Sequence, residues 1–243
     1  MQDNRLSSCY YYFMLTHYSL RQGAGTPLVF LHGFLGNHHD WENVVRDLPF
    51  PCIAFDLPGH GASPFTKHFF TAFLKAVIDL PPFHLIGYSM GGRLAAQFSN
   101  LYPEKISKLT LLSSHLGLAS EEERKKRLEK DRELAKRILE IPIDEFLKEW
   151  YDQPLFRTLI EKMDIRTMRR TQDREGIAKA LLEFSLGKQE TSVKSANLLV
   201  GEYDEAYRAH YRNWPHIVIP DAGHAIHLEN PNAVARTLYD LSM

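Results

Sequence analysis

The stretch Leu85-Ile86-Gly87-Tyr88-Ser89-Met90-Gly91-Gly92-Arg93 decides the fold. It reads as the end of an apolar strand, then G-x-S-x-G, then the start of a helical pattern. In that context the glycines let the backbone turn sharply and the helix pack close to the strand. Ser89 is thereby lifted to the end of a sheet, over a helix N-terminus. Outward from it the same rhythm recurs. Leu28–Leu31 ends at His32-Gly33, and Cys52–Phe55 at Asp56-Leu57-Pro58-Gly59. Leu109–Leu112 ends at Ser113-Ser114, Leu198–Val200 at Gly201, and Ile217–Ile219 at Pro220-Asp221. Apolar runs without alternation suit strands buried on both faces. Strand, turn and helix in repetition predict a mostly parallel, doubly wound α/β sheet. The segment Tyr10 to Leu20 is expected to add an antiparallel strand at one edge.

The rhythm breaks between His115 and Ser195, where the chain is charged and helical. Ser120-Glu121-Glu122-Glu123 is a capping-box pattern that starts a helix running to about Glu140, where Pro142 stops it. Arg127, Asp131, Leu134 and Ile138 share one face of that helix, so Arg127 is expected to point inward. The domain reading is a core of residues 1–114 and 196–243, with 115–195 as a helical cap over the carboxyl edge of the sheet.

Composition narrows the function. The chain has 243 residues, 44% hydrophobic and 24% charged, which suits one globular core. A formal net charge of -1 argues against a general nucleic-acid binder. No apolar run approaches the roughly 20 residues that span a bilayer, so no membrane partner is expected and the expected location is cytoplasmic. Cys9 and Cys52 are expected to be reduced thiols. His38-His39-Asp40 lacks metal-ligand spacing and reads as a solvated loop; no metal or cofactor is expected. The expected assembly is a monomer or a weak homo-oligomer.

A serine hydroxyl needs a base. His224, in Asp221-Ala222-Gly223-His224, follows the last strand and precedes a C-terminal helix. Asp204 follows the preceding strand, and the order Ser, acid, His is one a strand-edge serine site uses. Glu202, Glu205 and Asp221 are rival acids, and His227 is a rival base, read as a neighbour of the site or a surface residue. The amides of Phe34 and Met90 are candidates for an oxyanion hole. His32 is read as a packed histidine bracing its loop, and Asp56–Ser63 as a structural turn.

The strings LHGFLGNHHDW, FDLPGHGAS, GYSMGGRLA, EWYDQPLF, REGIAKALLEFSLGKQ and LLVGEYDE together resemble the 2-succinyl-6-hydroxy-2,4-cyclohexadiene-1-carboxylate synthases of menaquinone biosynthesis, within the α/β-hydrolase superfamily. The resemblance covers Leu28 to Leu241. It departs in the short approach Ser192–Asn197 and in the segment before Tyr10. It implies an α/β-hydrolase fold and a lyase that eliminates pyruvate from 2-succinyl-5-enolpyruvyl-6-hydroxy-3-cyclohexene-1-carboxylate. It implies that Ser89 takes a proton rather than an acyl group, and that the Phe34 and Met90 amides steady the negative charge on the carboxylate side. The implied substrate is an anionic small molecule with three carboxylates, for which arginine's planar fork is the suited partner. Arg93, one turn after Ser89, Arg127 and Arg170 are the arginines implied, with Tyr88 and Trp150 lining the pocket. The competing reading is a serine hydrolase of esters or carbon–carbon bonds, working through an acyl-enzyme with the same triad.

Overall fold

Alternate residues of a strand face opposite sides of a sheet, so a strand that is apolar throughout feeds two cores. The computed structural model, which describes residues 14–189, 193 and 195–243, has this arrangement. Leu28, Phe30, Ile86, Leu112 and Leu199 enter one buried cluster. Val29, Leu31, Leu85, Leu111, Leu198 and Val200 enter the other.

The strands are β1 (His17–Arg21), β2 (Leu28–Leu31), β3 (Cys52–Phe55), β4 (Phe83–Tyr88), β5 (Ile106–Leu112), β6 (Asn197–Gly201) and β7 (Ile217–Ile219). They form one 7-stranded sheet in the order β1-β3-β2-β4-β5-β6-β7. β1 pairs antiparallel with β3, and the other pairings are parallel. The edge strand expected from Tyr10 to Leu20 thus begins at His17; residues 10–13, like Cys9, Ser192 and Lys194, lie outside the described residues. Cys52 is a free, buried thiol that burial pushes up to about 12.

Helices α1 (Phe69–Ala76) and α2 (Met90–Leu101) connect the central strands. Between β5 and β6 the chain leaves the sheet for α3 (Glu121–Glu140), α4 (Ile143–Tyr151), two short turns at Arg157–Lys162 and Ile165–Met168, and α5 (Arg174–Glu183). The start of α3 is the expected capping box: Ser120 Oγ accepts from the Glu123 amide at 3.1 Å, and the Ser120 amide donates to Glu123 Oε2 at 2.9 Å. Asp131 and Ile138 on its inner face are buried. Helix α6 (Glu205–Tyr211) follows β6, and α7 (Pro231–Ser242) closes the chain.

Candidate active site

β4 ends at Tyr88 and α2 begins at Met90, so Ser89 alone makes the turn between them. Its backbone sits at φ 48°, ψ -110°, a region that costs a non-glycine residue about 1–3 kcal/mol. The surroundings impose it. The Ser89 amide donates to the Leu112 carbonyl at 2.9 Å, and the Ser89 carbonyl accepts from the Ser114 hydroxyl at 3.0 Å. A Cβ on Gly87 would stand 2.6 Å from the Gly91 carbonyl oxygen and from Gly92 Cα, so only glycine admits the helix this close.

Two carboxylates fix the imidazole. His224 Nδ1 donates to Asp204 Oδ2 at 2.8 Å, and His224 Nε2 lies 3.4 Å from Ser89 Oγ as its acceptor. Asp204 and His224 are both buried. The other Asp204 oxygen caps α6, accepting from the Tyr207 amide at 3.2 Å. The sequence reading missed Glu229. This buried side chain accepts from the Gly223 amide at 2.7 Å and the Ala225 amide at 3.0 Å, clamping the loop on both sides of His224. Of the rival acids, Glu202 caps the Asp221 amide at 2.9 Å and Asp221 pairs with Lys162, both at the surface. Glu205 is exposed.

His227 is not a surface residue. It is wholly buried, its ring 4.3 Å from that of Tyr88 and 4.7 Å from that of Trp41, because the short helix after His224 turns it into the core. His32 braces its loop as expected: Nδ1 donates to the Gly33 carbonyl at 2.7 Å and Nε2 accepts from the Leu57 amide at 2.9 Å. The Asp56 carboxylate holds its turn by accepting from the His38 and Ala62 amides.

Ser89 opens on a pocket with about 400 Å³ of empty space, counting that open to solvent. Gly33, Phe34, Tyr88 and Trp150 line it, along with Phe156 and Arg169. Met90 begins α2 beside Ser89. The expectation for Arg170 is corrected here. Arg170 is exposed and pairs with Asp144 at 2.8 Å, on the outer side of its turn. Its neighbour Arg169 is the buried one, pairing with Asp40 at 2.7 Å. Against the opposing pull of burial, Asp40 and Tyr151 push the Arg169 guanidinium up. The structure also corrects the reading of His38-His39-Asp40 as solvated, since His38 and Asp40 are buried and only His39 is exposed. Among the described residues no cluster has the makings of a metal site, and no helix is long and apolar enough to cross a membrane.

Arg93 and Arg127, which are not part of that pocket's lining, lie close enough to Tyr207 and His115 to act on both electrostatically. Arg93 is buried, and Nη1 donates to the Phe184 carbonyl at 2.8 Å and to Gln189 Oε1 at 2.9 Å. No carboxylate among the described residues forms an ion pair with it. Burial pulls it down to about 10, aided by the charge of Arg127, and it stays cationic at neutral pH. Arg127 is held through Nε by both oxygens of the buried Asp131, at 2.9 and 3.0 Å.

Residues 26–215 match the model of the α/β-hydrolase fold family. A 2-succinyl-6-hydroxy-2,4-cyclohexadiene-1-carboxylate synthase of Enterobacter is 34% identical over 238 residues, covering 88% of this chain and 92% of that one. The enzyme of the same name from Escherichia coli O7:K1 is 32% identical, covering 93% and 98%. This chain belongs to that synthase family. Its fold agrees: the solved MenH of Staphylococcus aureus superposes with a TM-score of 0.85 at 27% identity, over 93% of this chain and 97% of that one. A thermophilic esterase from Thermogutta terrifontis, solved with malate bound, reaches 0.70 at 26% identity, over 93% and 92%. The scaffold is therefore common to the synthases and to esterases, and the distinction between them has to come from the groups around the serine.

Proposed function

We propose that this protein eliminates pyruvate from 2-succinyl-5-enolpyruvyl-6-hydroxy-3-cyclohexene-1-carboxylate to give 2-succinyl-6-hydroxy-2,4-cyclohexadiene-1-carboxylate. The observation that carries the reading is Arg93, a buried cation that no carboxylate among the described residues pairs with, beside a hydrogen-bonded serine, histidine and aspartate. A buried charge is costly unless something pairs with it, and a polyanionic substrate supplies the pair. A simple ester gives it none.

The change from a 3-cyclohexene to a 2,4-cyclohexadiene fixes the electron flow. The proton lost is at C2, beside the succinyl carbonyl. Its bonding pair forms C2=C3, the old double bond moves to C4=C5, and the C5–O pair leaves with the enolpyruvate. His224 takes the Ser89 proton at Nε2, and the serine oxygen takes the proton from C2. Asp204 stabilises the imidazolium that results. The Phe34 and Met90 amides stabilise the charge that spreads onto the succinyl oxygen. The imidazolium proton then passes to the departing enolate, which becomes pyruvate, and Ser89 is left as its hydroxyl. Residues 115–195 act as the cap that shields this step from water, Arg127 binds a carboxylate, and Trp150 and Tyr88 pack on the ring. The location that goes with this role is the cytoplasm.

The test is pyruvate release, read by a coupled lactate dehydrogenase assay. One pyruvate per substrate is expected. Ser89→Ala should lower kcat about a thousandfold or more, and Arg93→Gln should lower kcat/KM by roughly 10- to 100-fold. No pyruvate, together with rapid ester cleavage and a trapped acyl-Ser89, would establish the hydrolase instead.

A further inference from the structure

A row of three rings leads away from His224 of the triad. The centroid of Tyr207 is 4.7 Å from that of His224, His210 is 6.1 Å from Tyr207, and His115 is 4.1 Å from His210. Tyr207 is tied to the triad a second time, through its amide on Asp204. Its ring is half-buried against the apolar cluster under α2, and its hydroxyl has no hydrogen bond among the described residues.

The tautomer of His115 is fixed. The Gly117 amide donates to its Nδ1 at 3.1 Å, so that nitrogen carries no proton and Nε2 must. Burial, then His210, Arg93 and Arg127, hold the ring down to about 4, so it is neutral with an Nε2–H at neutral pH. His210 is fixed the other way, with Nε2 accepting from the Leu116 amide at 3.1 Å. Both Arg93 and Arg127 act electrostatically on His115 and on Tyr207. The three carboxylates nearby are already engaged, Asp131 by Arg127 and Ser185, Asp204 by His224, and Glu123, which acts on His115, by the Ser120 cap. Two guanidinium groups, a phenol and an imidazole N–H therefore come together with donors to spare.

We propose that Tyr207 and His115 complete a carboxylate subsite with Arg93 and Arg127, the Tyr207 hydroxyl and His115 Nε2–H acting as neutral donors that position one carboxylate arm of the substrate. The substrate identity rests on the lyase reading above; the subsite itself is tested independently of it. Tyr207→Phe keeps the ring on His224 and removes only the hydroxyl. His115→Asn keeps an acceptor for the Gly117 amide and removes the Nε2 donor. Each variant should raise KM for pyruvate release about tenfold and change kcat by less than about twofold, since the interaction is equal in ground and transition states. Labelling of Ser89 by a neutral fluorophosphonate should proceed at the wild-type rate in both. Succinate should slow that labelling in the wild type and do so about tenfold less effectively in Tyr207→Phe. Unchanged KM and unchanged succinate protection in both variants overturn the subsite, as does slower labelling in step with a lower kcat, which marks a structural role. Wild-type protein that releases no pyruvate refutes the lyase reading instead, and the succinate arm still decides the subsite.

Discussion

Acid should unfold this protein chiefly through four histidines at its core, with the less buried His115 adding to them. Burial holds His32 down to about 4, and His60, His84 and His227 down to about 3. In the unfolded chain each takes a proton near the ordinary value of about 6.5. The folded value lies below the unfolded one, so below about pH 6.5 the unfolded chain binds more protons than the folded one. The stability is complete above that point and falls as the pH drops towards 3 to 4. At pH 5 the solution is about 1.5 units below the unfolded value, which removes about 2 kcal/mol per histidine, and the four remove roughly 8 kcal/mol. A domain holds about 5–15 kcal/mol in all, so the acid midpoint is expected near pH 5. Urea unfolding followed by circular dichroism between about pH 8 and 4 measures this, with a limiting slope of at least about four protons. His227 gives the internal control. Both its ring nitrogens lack partners and its ring packs between Tyr88 and Trp41. His227→Phe should therefore lower the slope by one proton. Stability that stays level from pH 7 to 5 would refute the argument, because the buried rings would then have to accept protons in the folded state.

Two further outcomes follow from the site's supports. Glu229→Gln leaves one oxygen to serve the two amides flanking His224; kcat should fall by about 10- to 100-fold with KM little changed, measured as pyruvate release. Asp40→Asn strands the buried Arg169 guanidinium and should cost about 3–5 kcal/mol in urea unfolding, whereas Arg170→Ala, which breaks an exposed pair, should cost less than about 1 kcal/mol.

Much of the architecture was legible because its signals are local. The elbow needs glycines at fixed offsets from Ser89, and the strands announce themselves as apolar runs long enough to serve both faces of a sheet. Asp204 and His224 could be placed because each stands directly after a strand on the same edge of the sheet. The inward face of α3 was legible from spacing, and Asp131 and Ile138 are buried on it. What spacing could not give is which of two adjacent residues turns inward on a short element. Arg169 and Arg170 leave their single helical turn about 100° apart, and only the position of Asp40, well over a hundred residues earlier in the chain, selects Arg169. Glu229 was hidden for a similar reason. It reads as a surface helix residue, and its role comes from a loop folding back over it. Tyr207 and His115 carry no motif; their meaning depends on β5 and β6 being neighbours.

The same dependence on distant contacts bears on how the site chooses its substrate. Arg93 belongs to the core helix α2, yet its Nη1 is held by Phe184 and Gln189, which belong to the segment between β5 and β6. Arg127 is held by Asp131, itself fixed by the Ser185 hydroxyl at 2.7 Å. Both cations are thus set in place before any ligand arrives, and little side-chain entropy is left to lose on binding. Seating the helical insertion on the core and presenting the charge of Arg93 are one event, so displacing the insertion at Phe184 and Gln189 would release the guanidinium as well. On the proposed reading, a triad built like that of esterases acts on a polyanion because the segment between β5 and β6 fixes the cations beside it.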